Sequence, residues 1–196
     1  MSEPRYEFRI FADDLSGPIA RLQRLLGDPG AFDAECSEER YFLSEDLSGH
    51  IIKLRGGMLD IKERLEDDGL LQRWRLIAKD PFPVEAARLE ELFFGPLHLT
   101  PPQPLLPLYD LESFSAMAAS HPGIQTFTVT KKRRRSRVDG ILCEIDSVAV
   151  GTKTLKSLCC ESADPDTLQG FIKLLGIGHQ KNQSYLHLLR TLATKK

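Results

Sequence analysis

The sequence predicts an α+β chain in which antiparallel strands close into a barrel with a charged lumen, covered outside by amphipathic helices. Three observations carry this. Long stretches alternate charged and apolar residues with the period of a strand, as in Arg5-Tyr6-Glu7-Phe8-Arg9-Ile10. Turn signals punctuate those stretches at Ser48-Gly49, Gly56-Gly57, Asp67-Asp68-Gly69 and Asp139-Gly140, and such short connections join hairpins. Successive strands then present paired cations, Lys53 with Arg55, Lys62 with Arg64, and Arg73 with Arg75. In a sandwich those charged faces would look to water. Here several amphipathic helices can cover the apolar faces, which leaves the charged ones to point inward.

Taken in order, Arg5, Glu7 and Arg9 share one face of the first strand, and Tyr6, Phe8 and Ile10 share the other. Ser16 is a candidate helix cap with Pro18 in the first turn; Leu15, Ile19, Leu22, Leu25 and Leu26 then fall on one face before Gly27-Asp28-Pro29-Gly30. Residues 38–79 return to period two, with Ile52 and Leu54, Leu59 and Ile61, and Trp74 and Leu76 opposite the paired cations. Pro81 and Pro83 end this meander, and a short helix is expected over 84–94. Residues 95–107 contain five prolines and read as a stiff connector. A helix over 109–120 follows. Then come a basic strand around Lys131-Lys132-Arg133-Arg134-Arg135-Ser136-Arg137, an acidic strand 141–146 and a strand 154–161. Helices starting at Asp164 and spanning 183–194 finish the chain, which is taken as one domain, 1–196.

Composition excludes several classes. A net charge of −2 over 196 residues gives no overall attraction to membrane or nucleic acid, so cations that matter must be concentrated locally. A nucleic-acid reading of the basic run is the lesser alternative. The four cysteines, Cys36, Cys143, Cys159 and Cys160, lack zinc-ligand spacing and read as reduced thiols, so a soluble, cytoplasmic protein is expected. No apolar run approaches the roughly 20 residues of a membrane helix. There is no G-x-S-x-G, P-loop or G-x-G-x-x-G.

The charges point to a ligand. In the register that turns Phe127 and Val129 outward, Lys132 and Arg134 point in, as do Glu144, Asp146, Cys159 and Glu161. Summed over the proposed inward faces, roughly ten cations meet about five acids, a lumen of about +5. Such a cavity is costly unless an anion fills it, and condensed phosphates are the obvious candidates.

These motifs together resemble the CYTH, or triphosphate tunnel metalloenzyme, superfamily. Arg5-x-Glu7-x-Arg9 sits where that family has its N-terminal E-x-E-x-K strand. Lys53-Leu54-Arg55 and Leu59-Asp60-Ile61-Lys62 look like its next basic strands, and Val129-Thr130-Lys131-Lys132-Arg133-Arg134 like a later one. Glu144-Ile145-Asp146-Ser147-Val148 is similar to its acidic strand, and Ser184-Tyr185-Leu186-His187-Leu188-Leu189 to its C-terminal S-Y-x-x-L-L helix. The resemblance implies an eight-stranded antiparallel tunnel and a metal-dependent hydrolase of a triphosphate or other condensed phosphate. Its expected ligand is a small-molecule triphosphate or inorganic polyphosphate.

Phosphoryl transfer needs positioning and charge neutralisation. The expected anion ligands are Arg9, Lys53, Arg55, Lys62, Arg64, Arg73, Arg75, Lys132 and Arg134, with Lys62 and Arg134 at the reacting phosphate. Mg²⁺ or Mn²⁺ would take hard oxygen ligands from Glu7, Glu144, Asp146 and Glu161. Two positions depart from the pattern: Arg5 replaces the first carboxylate of the first strand, and Cys159 the first carboxylate of the last. They motivate the alternative, a module that binds polyphosphate or phosphorylated ligands without turnover.

Overall fold

The computed structural model describes residues 3–27 and 32–194; Asp28-Pro29-Gly30 of the expected helix stop lie outside the described residues. The strands in chain order are β1 (Arg5–Ala12), β2 (Asp33–Leu43), β3 (His50–Arg55), β4 (Met58–Asp67), β5 (Gln72–Pro81), β6 (Val84–Glu85), β7 (Leu108–Tyr109), β8 (Gln125–Val138), β9 (Ile141–Val150) and β10 (Lys153–Ser162). Eight of them close into an antiparallel barrel in the order β1-β10-β9-β8-β2-β3-β4-β5, while β6 and β7 pair as a small separate sheet. The β8–β9 connection is a two-residue turn with positive φ at both Asp139 and Gly140, 48° and 82°. That is the turn whose twist matches paired strands, and Asp and Gly tolerate it best.

The helices are α1 (Ser16–Leu26), α2 (Ala86–Leu89), α3 (Gly95–Leu97), α4 (Leu111–Ser120), α5 (Pro165–Leu174) and α6 (Tyr185–Ala193), with a π-helical turn, Glu90–Phe94, joining α2 to α3. Side chains cap the last three: Asp110 accepts from the Ser113 N–H, Asp164 from Asp166 and Thr167, and Ser184 from His187, each satisfying donors the helix leaves free. Ser16 is not the cap of α1. It is the first helical residue, and Asp14 accepts its N–H at 2.8 Å. Val84 and Glu85 are strand, where helix was expected, because Val84 pairs with Tyr109. Among the described residues no helix is long and apolar enough to cross a membrane.

Outside the barrel, Phe8, Ile10, Cys143, Ile145, Leu158 and Cys160 pack against Leu168, Phe171 and Ile172 of α5 and Leu22 of α1. On the other side Phe42, Ile52, Leu59 and Ile61 lie beneath Phe93, Phe94 and Phe114. Each side chain fully buried in this layer contributes roughly 1.5–3 kcal/mol relative to exposure. The helices therefore cover the barrel outside and leave the opposite strand faces to the lumen.

One end of the lumen is apolar too. Alternation along their strands turns Phe11, Tyr41, Val129, Val148 and Leu155 inward, near where β1 and β2 finish and β8 begins. Tyr185, from the start of α6, closes over them. Its ring stacks on Tyr41 at 5.4 Å between centroids and meets Phe11 edge-on at 5.1 Å. This plug decides the register of β8.

Candidate anion-binding site in the barrel lumen

Because Val129 fills the plug, the residues that share its face are Lys131 and Arg133, buried at 1% and 4% exposure. Lys132 and Arg134 are exposed on the outside. The expected register is thus off by one residue, which moves every side chain of a strand to the other face. Its premise, that an apolar β8 residue must look outward, fails where the barrel interior is itself apolar. Arg134 accordingly has no place at a reacting phosphate in the lumen, nor Lys132 in a lumen clamp.

The same premise fails on β5. Trp74 and Leu76 line the lumen, so Arg73 and Arg75 point outward, where they pair with Glu66 and Glu63. Arg64 bonds Asp67 at 2.8 Å and does not line the cavity. The other expected anion ligands, Arg9, Lys53, Arg55 and Lys62, all do.

The cavity holds about 370 Å³. Nine cations line it, among them Lys79 and Arg137, against five carboxylates. Two further carboxylates, Glu39 and Asp146, lie fully buried in its wall, so the excess is +2 rather than about +5. Most of the charge is paired in one network. Arg9 donates to Glu7 at 3.1 Å, Glu144 at 3.2 Å, Asp146 at 3.3 Å and the Ser157 hydroxyl at 3.1 Å. Arg133 bridges Asp146 at 3.4 Å and Glu39 at 3.3 Å. Glu39 also accepts from Lys53 at 3.0 Å, Lys131 at 2.8 Å and the Tyr41 hydroxyl at 2.8 Å. Lys53 and Arg55 reach Asp60 at 3.9 and 3.8 Å.

The protonation states follow from these contacts. Burial works against ionising Glu39, yet Lys53 and Lys131 hold it far below the usual carboxylate range. Burial opposes Glu144 likewise, and Arg9 and Arg133 bring it down to about 2. Lys131 is pushed well down by burial and by Lys53, and its ammonium lies 3.6 Å from the Tyr185 ring centre. For Lys62 burial lowers the pKa, but Glu161, Glu7 and Asp60 together raise it, so it stays a cation. Among the described residues Lys62 has no ion pair within 4.0 Å, and neither have Arg5, Lys79 and Arg137.

The four expected metal ligands reach one sector of the barrel wall but not one point. Glu7 and Glu161 face each other across β1 and β10, and together with the Cys159 sulfur their ligand atoms lie within 4.8 Å of one another. Glu144 and Asp146 are held instead by Arg9 and Arg133. Burial, together with the neighbouring Glu7 and Glu144, raises the Glu161 carboxyl against the pull of Lys62; two opposed carboxylates so placed gain from a shared divalent cation. Their oxygens fit Mg²⁺ or Mn²⁺, whereas the buried Cys159 thiol, itself pushed well up by burial, is a soft donor that does not.

Glu39, Tyr41, Lys79, Lys131, Arg133, Arg137 and Tyr185 were not among the expected site residues. Alternation along β2 could not choose the face of Glu39 and Tyr41, because both faces carry charge, Glu35 and Glu39 on one and Glu38 and Arg40 on the other. Tyr185 reaches the lumen from a helix, and no strand period could place it.

No protein-family model and no curated protein matches the sequence. Solved structures match it in fold. HpAC1 from Hippeastrum, a protein with a dominant triphosphatase activity, superposes with TM-score 0.53 at 14% identity, covering 98% of this chain and 96% of that one. A conserved hypothetical protein from Pyrococcus furiosus gives 0.54 at 17% identity, covering 93% and 98%. The mimivirus capping-enzyme triphosphatase gives 0.51 at 7%, covering 92% and 91%. At such identities the likeness is one of fold, which in this chain is a closed, eight-stranded antiparallel barrel.

Proposed function

We propose that this chain hydrolyses a triphosphate held in the barrel lumen. The observation that carries the reading is the set of lumen cations without carboxylate partners among the described residues, Arg5, Lys62, Lys79 and Arg137, around a cavity of about 370 Å³. An anion whose charge is spread over several phosphoryl groups meets several separated donors there, and Arg forks fix its orientation. Lys62 stays protonated beside the Glu7–Glu161 pair, and so serves as a fixed positive charge at the reacting phosphoryl group rather than as a base. Trp74 and Leu76 narrow one wall, and a lumen plugged beneath α6 limits bulk water, which strengthens each charge contact.

A divalent ion, Mg²⁺ or Mn²⁺, would be held by Glu7 and Glu161, and would supply charge neutralisation and an activated water. Small-molecule triphosphates and short inorganic polyphosphates are the substrates to try. Phosphate release from tripolyphosphate with Mn²⁺ is the test, with Lys62→Met and Glu161→Ala as controls. Release from the native chain no faster than from both controls refutes hydrolysis.

A second reading, binding without turnover, is favoured by one specific feature. Arg9 occupies Glu7, Glu144 and Asp146 at once. It predicts tripolyphosphate binding that survives EDTA and no release with any divalent ion.

A further inference from the structure

Glu39 is fully buried on β2, beneath the lumen surface, while its cationic partners Lys53, Arg55, Lys131 and Arg133 all line the cavity. Two ammonium groups, a guanidinium at 3.3 Å and a phenol converge on this one carboxylate, with Arg55 at 4.0 Å. Such a set of converging donors is the kind a protein presents to a phosphoryl group. The cluster also needs an anion: Lys131 and Lys53 both contact the same Glu39 oxygen, and Lys131 is buried at 1% exposure. The seat lies at the deep end of the lumen, since Lys131 also bonds the Tyr41 hydroxyl and lies against Tyr185.

We infer that Glu39 occupies the deepest anion seat of the lumen and so sets how far a phosphate chain can enter. This rests on the triphosphate reading above. The entering anion first meets Arg5, Lys62, Lys79 and Arg137, which have no ion pair among the described residues, and stops where the carboxylate of Glu39 already holds the donors. Chain length then adds little to affinity once the outer seats are filled. Whatever the last phosphate carries stays toward the end where β1 starts. Glu39 is therefore a specificity-determining residue for length, one that makes no bond to the reacting phosphate.

The test is calorimetric binding of tripolyphosphate and tetrapolyphosphate in EDTA by the full chain and by Glu39→Gln. The native chain should bind the two within about threefold of each other, and Glu39→Gln should bind tripolyphosphate about tenfold tighter than the native chain does, since one opposing charge is gone. Glu39→Gln/Lys131→Met, which removes one cation with the carboxylate, should return to native affinity. Glu39→Gln with native affinity and native length preference overturns the role of Glu39 alone. Absence of binding by both chains overturns the triphosphate reading and this inference with it. If Glu39→Gln does not fold in chloride, recovery of its cooperative melt in tripolyphosphate supports the inference, and failure to recover overturns it.

Discussion

Replacing Arg9 by Met tests whether the buried network is held by one guanidinium. Arg9 is 4% exposed and serves three carboxylates that are themselves 0–7% exposed. Its loss leaves Glu7, Glu144 and Asp146 facing one another, with Arg133 as the remaining partner of Glu144 and Asp146 and Lys62 as that of Glu7. Breaking a buried pair costs about 3–5 kcal/mol because the stranded charge stays buried. For a chain of this size that corresponds to a fall in midpoint of roughly 6–20 °C. Urea unfolding followed through Trp74, the sole tryptophan, measures it directly. The sign of the pH dependence is the sharper part. In the native chain the depressed Glu144 contributes stability above its unfolded pKa and loses it as pH falls toward about 2. In Arg9→Met the stranded carboxylates are raised above their unfolded values, so they take up protons in the folded state first and the variant regains stability from pH 7 to about 5. A loss under about 1 kcal/mol at pH 7, or one that does not shrink on acidification, refutes the network as described.

Three further outcomes follow from the same geometry. Lys132→Ser/Arg134→Ser removes two exposed outer-face cations and should leave tripolyphosphate affinity in 0.15 M salt within about twofold of native, because screening weakens charges outside the lumen; calorimetry checks it. Glu144→Gln should flatten the acid limb of native stability between pH 4.5 and about 2, read from urea midpoints across that range. Trp74 lines the cavity, so tripolyphosphate should change its fluorescence saturably in the native chain and far less in Lys62→Met.

The barrel was legible because its outer face is regular. Phe8 and Ile10, Ile52, Leu59 and Ile61 alternate with charges for a simple reason: the same helices that bury them force the other face inward. The turns were legible because Asp139-Gly140 and Gly56-Gly57 adopt the positive φ that few residues tolerate. The lumen was legible only where its content contrasts with the outside. On β1, β3 and β9 charge points in and apolar groups point out, and Arg9, Lys53, Arg55 and Glu144 were placed correctly. On β5 and β8 the lumen side carries Trp74, Leu76 and Val129, so contrast misled: Arg73, Arg75, Lys132 and Arg134 were turned inward and are outside.

The lumen carries less net charge than its strand faces alone suggest. Counting strand faces treats each cation as free, but pairing depends on partners brought from elsewhere in the barrel, and Glu39 came from a strand that was not counted. Within the network Arg9, Lys53, Arg55, Lys131 and Arg133 stand against Glu7, Glu39, Asp60, Glu144 and Asp146, one carboxylate for each cation. A balanced interior folds without a bound anion, which a lumen of about +5 would not do readily. Anion affinity then falls to the few cations outside that balance, foremost Lys62, which lies in the lumen beside the opposed carboxylates of Glu7 and Glu161. Neutralising Lys62 should consequently cost mainly binding, with a smaller loss of stability from its attraction to Glu161 and Glu7, whereas neutralising Arg9 should cost mainly stability. A chain in which both changes act alike would have its charges arranged differently from this.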